Sequence, residues 1–237
     1  MAISQALSEF HDSLQMVEAL IKLEQKYKNP PRKEEQKIVE ALRGGTIVLM
    51  VASFEYFLRQ LFAEHLSVLS AQSVSVKFHL LPDKMQVCSV FNTLDYAMKG
   101  APFPSFPDKK IDRLTNIDIA CRSVAAKTIN PSAFTYSAGN PGPGTVNEMF
   151  SNVGLSNILT ELKPQFDSKW KKPTAHTFVR DTLQALIDRR HTVAHTATVL
   201  NVSRSDIKAY KKFITTLASI LDMKLERHIR HLVATCV

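Results

Sequence analysis

Three side chains that could act on a phosphodiester lie close together in the sequence of 237 residues: Arg190, His191 and His195. A histidine can remove or donate a proton near neutral pH. An arginine can hold a phosphate with two hydrogen bonds and offset the charge that develops at phosphorus. On an RNA substrate the ribose 2′-OH can be the nucleophile, so the protein needs to supply only a base, an acid and an anion holder.

The segment that carries these residues is predicted to be an amphipathic helix over 177–199. One face of this helix collects the apolar residues Val179, Leu183, Leu186, Ile187, Ala194 and Ala197. Arg190 falls in the middle of that face, and the two histidines lie four residues apart along its edge. A guanidinium in an apolar face is costly unless it is paired or wetted. The pattern therefore indicates a functional site, a core arginine that pairs with a carboxylate, or an error in the assumed helical phase.

His191 and His195 also have the spacing of two zinc ligands on one helix. However, the residue after His191 is Thr192, so the glutamate of the HExxH motif is missing, and the sequence offers no evident third ligand. We also find no glycine-rich phosphate-binding loop and no GxSxG motif. We therefore expect neither a metal nor a cofactor at this segment.

The positive charge of the chain is concentrated in its final third. Residues 1–162 contain 16 lysines and arginines and 16 acidic residues, whereas residues 163–237 contain 14 and 6. A one-sided basic excess suits a polyanionic partner, most simply a nucleic acid. The alternative is a surface charge that only serves solubility.

Basic and aromatic residues are interleaved in the segment 163–173. Its candidate RNA-binding residues are Lys163, Lys169, Trp170, Lys171 and Lys172. Such a segment can grip a single strand through charge and base stacking. The alternative is a solvated loop that its tryptophan anchors to the fold.

Cysteine usage and hydropathy predict a soluble cytoplasmic protein without a membrane span. Cys88, Cys121 and Cys236 are odd in number and widely spaced, which favours reduced thiols. The first ten residues carry Glu9 and no basic region, so we expect no signal peptide. The most apolar run, 46–54, is too short to cross a bilayer.

Helical periodicity predicts an all-α fold in a single domain over 1–237. The core helices are expected at about 3–28, 33–69, 177–199 and 204–232, with a long, partly helical insertion at about 70–175 between the second and third. An antiparallel four-helix bundle with one long crossover satisfies this order.

Three local features qualify this plan. The pair Gly44-Gly45 should either kink the second segment into two helices or let a neighbour approach closely. Ser203 and Asp206 have the spacing of a capping box at the start of the last helix. Glu55, at the border of an apolar face, is a candidate partner for a buried arginine, and the alternative is a bond to Arg59, four residues later.

Several of these residues resemble a known superfamily. The run Arg190-His191-Thr192-Val193-Ala194-His195 resembles the HEPN signature, an arginine and a polar residue followed, a few positions later, by a histidine. Phe54-Glu55-Tyr56 resembles the acidic position often found on the second HEPN helix. The run from Asn140 to Phe150, with Val153-Gly154-Leu155 after it, resembles the insert of the RiboL-PSP-HEPN group.

The resemblance implies a metal-independent endoribonuclease of a prokaryotic defence or toxin system. Such enzymes usually act as homodimers whose two motifs face each other across the interface. Carried over, Arg190 and His195 form the catalytic pair, His191 orients the substrate or shares proton transfer, and Glu55 supports them. RNA would be the substrate, and an antitoxin or another defence-system protein is a further candidate partner.

Two qualifications accompany that expectation. Ala197 stands where HEPN toxins regulated by a nucleotidyltransferase often carry a tyrosine, so regulation by AMP transfer is not expected. Many HEPN domains are inactive, which leaves two alternatives: a catalytically inactive module that binds RNA, a nucleotide or a partner protein, and a helical scaffold in which Arg190 pairs with Glu55.

Overall fold

The computed structural model describes residues 3–70, 77–99, 128–135, 140–196 and 202–236, with short stretches at 114, 117–118, 121–122 and 125–126. Its helices are α1 (Gln5–Glu24), α2 (Gln36–Ser70), α3 (Asp83–Lys99), α4 (Pro143–Asn152), α5 (Ile158–Glu161), α6 (Lys163–Trp170), α7 (Phe178–Thr196) and α8 (Arg204–Cys236). Short 3-10 turns occupy Lys33–Glu35, Phe78–Leu80 and Pro131–Phe134. These described ranges contain no strand, and the all-α prediction is confirmed.

The helix boundaries follow local sequence signals. α1 begins where the Ser4 side chain accepts a hydrogen bond from the backbone N–H of Leu7, as an N-cap does. Before α8, the Ser203 hydroxyl accepts from the N–H of Asp206, and the Asp206 carboxylate accepts from the N–H of Ser203. The predicted capping box is therefore present. The predicted end of α7, at 197–199, lies outside the described residues.

The chain forms two compact units. The first consists of Met1–Leu58, Gly139–Val146 and Leu159–Asp222, and the second of Arg59–Ala138, Asn147–Ile158 and Met223–Val237. The arginine and histidine motif of α7 belongs to the first unit. The single domain over 1–237 remains a prediction.

The first unit is held together by apolar faces of α1, α2, α7 and α8. Phe10 of α1 is fully buried and contacts Phe54 and Phe57 of α2, with ring centroids 6.4 and 5.1 Å away. Full burial of such a side chain stabilises a fold by about 1.5–3 kcal/mol. The apolar stripes read from the sequence are thus the contacts between these helices.

A buried carboxylate also ties the first unit together. Glu24, at the end of α1, accepts from Arg43 of α2 at 2.6 Å and from Arg204 of α8 at 2.7 Å. The guanidinium of Arg43 also donates to the carbonyl of Val202, and that of Arg204 to the carbonyl of Tyr27. One carboxylate and two arginines therefore fix three helices to each other.

The second unit has its own aromatic contacts and a half-buried histidine, His228. Phe62 of α2 meets Phe150 of α4 edge to face at 5.1 Å. The Nε2 atom of His228 lies 2.6 Å from the carbonyl oxygen of Val153, so the neutral ring donates there. Burial lowers the pKa of His228 below its ordinary value of 6.5, although this hydrogen bond opposes the shift.

Acid should therefore destabilise the second unit. A lowered pKa in the folded state means that the unfolded chain binds more protons as the pH falls below about 6.5, so stability is lost in that direction. His228→Gln should remove part of this loss, because glutamine can still donate to Val153 and does not titrate. Urea unfolding between neutral and mildly acidic pH measures the slope, and equal slopes for both proteins would contradict this assignment.

One helical segment, Lys33–Ser70, is long and apolar enough to cross a membrane by length and composition. In its most apolar window, 56% is buried inside the fold, and a core helix meets the same criteria. This burial is compatible with a soluble protein.

Candidate active site

The candidate residues stand where the apolar stripe of α7 leaves the core. Val179, Leu183 and Leu186 are almost completely buried. One turn later Arg190 is only half-buried, and Ala194, on the same face after another turn, is exposed. The face that packs inside the unit is thus uncovered around the motif, where it can meet a ligand or another subunit.

The two histidines of the motif form a pair on the surface. Their side chains are both exposed, and their ring centroids are 4.2 Å apart with a tilt of 44°. This proximity follows from their separation by four residues on one helix. Two imidazoles so close together can contact one phosphodiester group and divide the tasks of base and acid between them.

The neighbouring arginines have different surroundings. The guanidinium of Arg189 lies over the ring of Tyr210, 5.6 Å from its centroid. The hydrogen bond from the backbone of Ser203 is the main cause that lowers the pKa of Asp206, and the positive charge of Arg189 lowers it further. Within the described part of the chain, Arg190 has neither an ion pair nor a hydrogen bond. Its guanidinium is therefore available to an external anion.

Glu55, the predicted supporting residue, lies half-buried on α2 in the same unit. Its role at the motif remains a prediction. Among the residues that the structure describes, no group of three His, Cys, Asp or Glu side chains could hold a metal ion.

The end of α7 is positioned by a close approach to α2. A Cβ atom on Gly44 would stand 3.3 Å from Cγ1 and 3.4 Å from Cγ2 of Val193, which lies between the motif residues. α2 continues through Gly44 and Gly45 as one helix. Of the two expected effects of the glycine pair, the close approach is the one observed.

Alanine at Gly44 and at Gly45 should have different consequences. At Gly45 the new Cβ would meet Leu20 at an ordinary 3.6 Å, so Gly45→Ala should stabilise the helix by about 0.5–1 kcal/mol. At Gly44 the side chain of Val193 must give way by a few tenths of an ångström, which offsets this gain. Urea unfolding should show Gly44→Ala as the less stable variant, and Val193→Ala in the same protein should restore part of the difference. Equal stability of the two variants would contradict the proposed role of the contact.

Most of the predicted RNA-binding segment, 163–173, is a helix and not a loop. Residues 163–170 form α6, and Trp170 is only 8% exposed. Its ring packs against Phe166, Phe178 and, through Phe166, Phe213. An enclosed ring cannot stack on a base, so the stacking part of the prediction does not agree with the structure.

The lysines of this segment also differ from one another. Lys163 pairs with Asp167, and this hydrogen bond is the main cause that lowers the pKa of the carboxyl group. Lys169, Lys171 and Lys172 are exposed. RNA binding remains a prediction for all four lysines.

Sequence analysis missed a set of lysines in the first half of α8: Lys208, Lys211 and Lys212. Their spacing of three and four residues places them on one side of the helix, which is a signal that the sequence already contained. Their relation to Lys169 depends on tertiary structure and could not be read from the sequence.

Comparison with known proteins agrees with the resemblance of the motif. A family model described as RiboL-PSP-HEPN matches residues 12–227, which is most of the chain. No match was found among curated proteins or solved structures. HEPN families are associated with nuclease and other RNA-related functions, and many of their members are inactive. The extent of the match shows that the chain belongs to the RiboL-PSP-HEPN family.

Proposed function

We propose that the protein is a metal-independent endoribonuclease that acts as a homodimer through Arg190, His195 and His191. The observation that carries the proposal is the exposed pair of imidazoles, 4.2 Å apart, beside an arginine that has no ion pair in the described part of the chain. The family supports an RNA-related function.

The reaction that suits these groups is an internal transfer within RNA. One imidazole removes the proton of the 2′-OH, and the 2′-oxygen attacks the adjacent phosphorus. The bond from phosphorus to the 5′-oxygen breaks, and a protonated imidazole gives its proton to that oxygen. Arg190 donates hydrogen bonds to the non-bridging oxygens as their charge increases. The products are a 2′,3′-cyclic phosphate and a 5′-OH.

His195 and His191 share the two proton transfers in this proposal, with Arg190 and His195 as the main catalytic pair.

The proposed dimer rests on the uncovered face of α7. The stripe that is buried at Leu186 continues through the half-buried Arg190 to the exposed Ala194. A second copy would cover this face and exclude water from both motifs, which strengthens the electrostatic contribution of each arginine.

Cleavage of RNA in the presence of EDTA tests the proposal. The purified protein should cut single-stranded RNA, leave 2′,3′-cyclic phosphate and 5′-OH ends, and sediment as a dimer. The matched control is the same RNA with 2′-O-methyl groups, which should remain intact because it lacks the nucleophile.

Four outcomes would contradict parts of the proposal. Equal cleavage of the 2′-O-methyl RNA, or ends with a 3′-OH and a 5′-phosphate, would exclude attack by the 2′-oxygen. Activity that disappears in EDTA and returns with a divalent cation would exclude a metal-independent reaction. RNA binding without any cleavage would instead favour the inactive binding module.

A further inference from the structure

A groove of about 710 Å³ lies in the first unit, between α1, α8 and the end of α6. α8 lines it with residues that recur every three or four positions, including Lys208, Lys212 and Ser219. At 3.6 residues per turn, this stripe lies on the side of α8 opposite to Tyr210, the residue that contacts Arg189. The groove is therefore a different surface of α8 from the one beside the motif helix.

The groove has a strong positive charge. Among the described residues, its lining has a single carboxylate, that of Glu18, and four lysines: Lys169, Lys208, Lys211 and Lys212. Lys211 pairs with Glu18, whereas the other three lysines form no ion pair within the described part of the chain. An excess of three positive charges is thus left in one concave surface, where each ammonium group repels the others. A bound polyanion would relieve that repulsion.

Two of the lysines are held in position by other contacts. The ammonium group of Lys169 donates to the hydroxyl of Ser219 at 2.5 Å. The ammonium group of Lys212 lies 4.1 Å from the centroid of the Trp170 ring. Because these side chains are already restrained, an anion that binds them causes a smaller loss of side-chain entropy. The ring of Trp170 is too buried to stack on a base, but it contacts the ammonium group of Lys212.

The pKa of Glu18 reflects the positive charge of the groove. The hydrogen bond from Lys211 is the largest cause that lowers the pKa of Glu18, and the charges of Lys22 and Lys208 lower it further. A second anion in this groove would experience the same attraction. Glu18 itself is the group that such an anion would have to displace from Lys211 or approach against its repulsion.

The chemistry of the lining favours phosphate groups over bases. Thr215, Thr216 and Ser219 add hydroxyl donors to the lysines, and Ile21 is the one apolar residue among the described lining residues. None of the described lining residues presents an aromatic ring, apart from the imidazole of His11. From Lys208 to Ser219 the stripe extends about 16 Å, long enough for several successive phosphates.

We propose that this lysine groove binds the sugar–phosphate backbone of single-stranded RNA and anchors the substrate away from Arg190 and His195. The proposal rests on the proposed function only in treating the bound RNA as the substrate. Since the contacts are to phosphates, the anchoring does not depend on base sequence.

Binding is measured with a fluorescein-labelled single-stranded RNA of mixed sequence at several salt concentrations, in protein that carries His195→Ala so that the probe remains intact. Combined Lys169→Ala, Lys208→Ala and Lys212→Ala should weaken binding about tenfold or more and reduce the salt slope by about 2, since each lost phosphate contact contributes about 0.7. Glu18→Gln should have the opposite effect and tighten binding, because it removes the only negative charge of the described lining.

The matched control removes three exposed lysines that do not line the groove: Lys26, Lys33 and Lys37. Their replacement by alanine changes the net charge equally and should leave the affinity near that of the parent. Equal losses in both triple variants would overturn the proposal, because net charge alone would explain them. Lys208→Glu, at an exposed position that contacts no aromatic ring, should weaken binding without a change in melting temperature and so excludes misfolding as the cause.

Two further outcomes would overturn the proposal. One is an intact affinity for RNA in the groove variants. The other is a nucleoside triphosphate that binds the groove more tightly than the RNA does, which would identify a free nucleotide as the occupant. Failure of the parent protein to cleave any RNA would contradict the proposed function alone, because the binding comparison does not require cleavage.

Discussion

Replacement of His195 by alanine should lower the rate of RNA cleavage by about 10²–10⁴-fold, the usual contribution of a proton-transfer group. The loss should appear in the chemical step, because the 2′-oxygen and the 5′-oxygen depend on a positioned base and acid. His195 is exposed, so the free energy of unfolding should change by less than about 0.5 kcal/mol. Cleavage measured under single-turnover conditions, together with urea unfolding, separates these two effects.

His176→Ala is the matched control for this experiment. His176 is exposed in the same unit, immediately before α7, and lies outside the motif. The His176→Ala variant should cleave RNA at the parental rate. Parental activity in His195→Ala would show that His195 is not catalytic, and an equal loss in both variants would show that the effect is not specific to the motif.

The same pair of variants tests the proposed toxin or defence role. Expression of an active, unrestrained endoribonuclease should arrest the growth of a host cell, whereas His195→Ala should be tolerated. Growth arrest by His195→Ala as severe as that by the parent would contradict a toxicity that depends on RNA cleavage.

Features encoded by neighbouring residues could be predicted from the sequence. The apolar stripes gave the four core helices to within a few residues at most ends, because a helix in a small core must bury a face with a period of 3.6. The capping box of Ser203 and Asp206 could be predicted because its two hydrogen bonds depend on local spacing alone. Arg190 stood out for a similar reason, as a charge on a stripe that is otherwise apolar.

Features that depend on distant residues were missed or misread. Trp170 looks like an accessible ring between lysines, yet it is buried because Phe166 of its own helix and Phe178 of α7 pack against it. The lysine groove joins α6 and α8 to α1, and the sequence order does not reveal that they meet. The arginines around Glu24 are likewise 19 and 180 positions away along the chain.

Glu24→Gln should destabilise the protein by about 3 kcal/mol or more, the largest effect on stability that we expect from a single substitution. The side chain of Glu24 is 5% exposed, and those of Arg43 and Arg204 are 11% and 22% exposed. Removal of the carboxylate leaves two guanidinium groups without their anion at partly buried positions, a situation that costs about 3–5 kcal/mol when one member of a buried pair is lost. Glutamine has a shape similar to that of glutamate, so the loss of stability is due to the removed charge more than to a change in volume. The midpoint and slope of urea unfolding measure it.

Glu226→Gln provides the control, because it removes the same charge from a pair that is open to solvent at its arginine. The side chain of Glu226 is 19% exposed and that of Arg230, its partner one turn later, is 64% exposed, and pairs at the surface contribute about 0.5 kcal/mol or less. A loss of that size in Glu24→Gln as well would show that solvent already screens the buried cluster. Simultaneous replacement of Glu24, Arg43 and Arg204 by apolar residues should recover much of the stability, because no unpaired charge then remains. If the triple variant is as unstable as Glu24→Gln, the cluster stabilises the unit through its specific hydrogen bonds to Val202 and Tyr27 rather than through charge neutralisation.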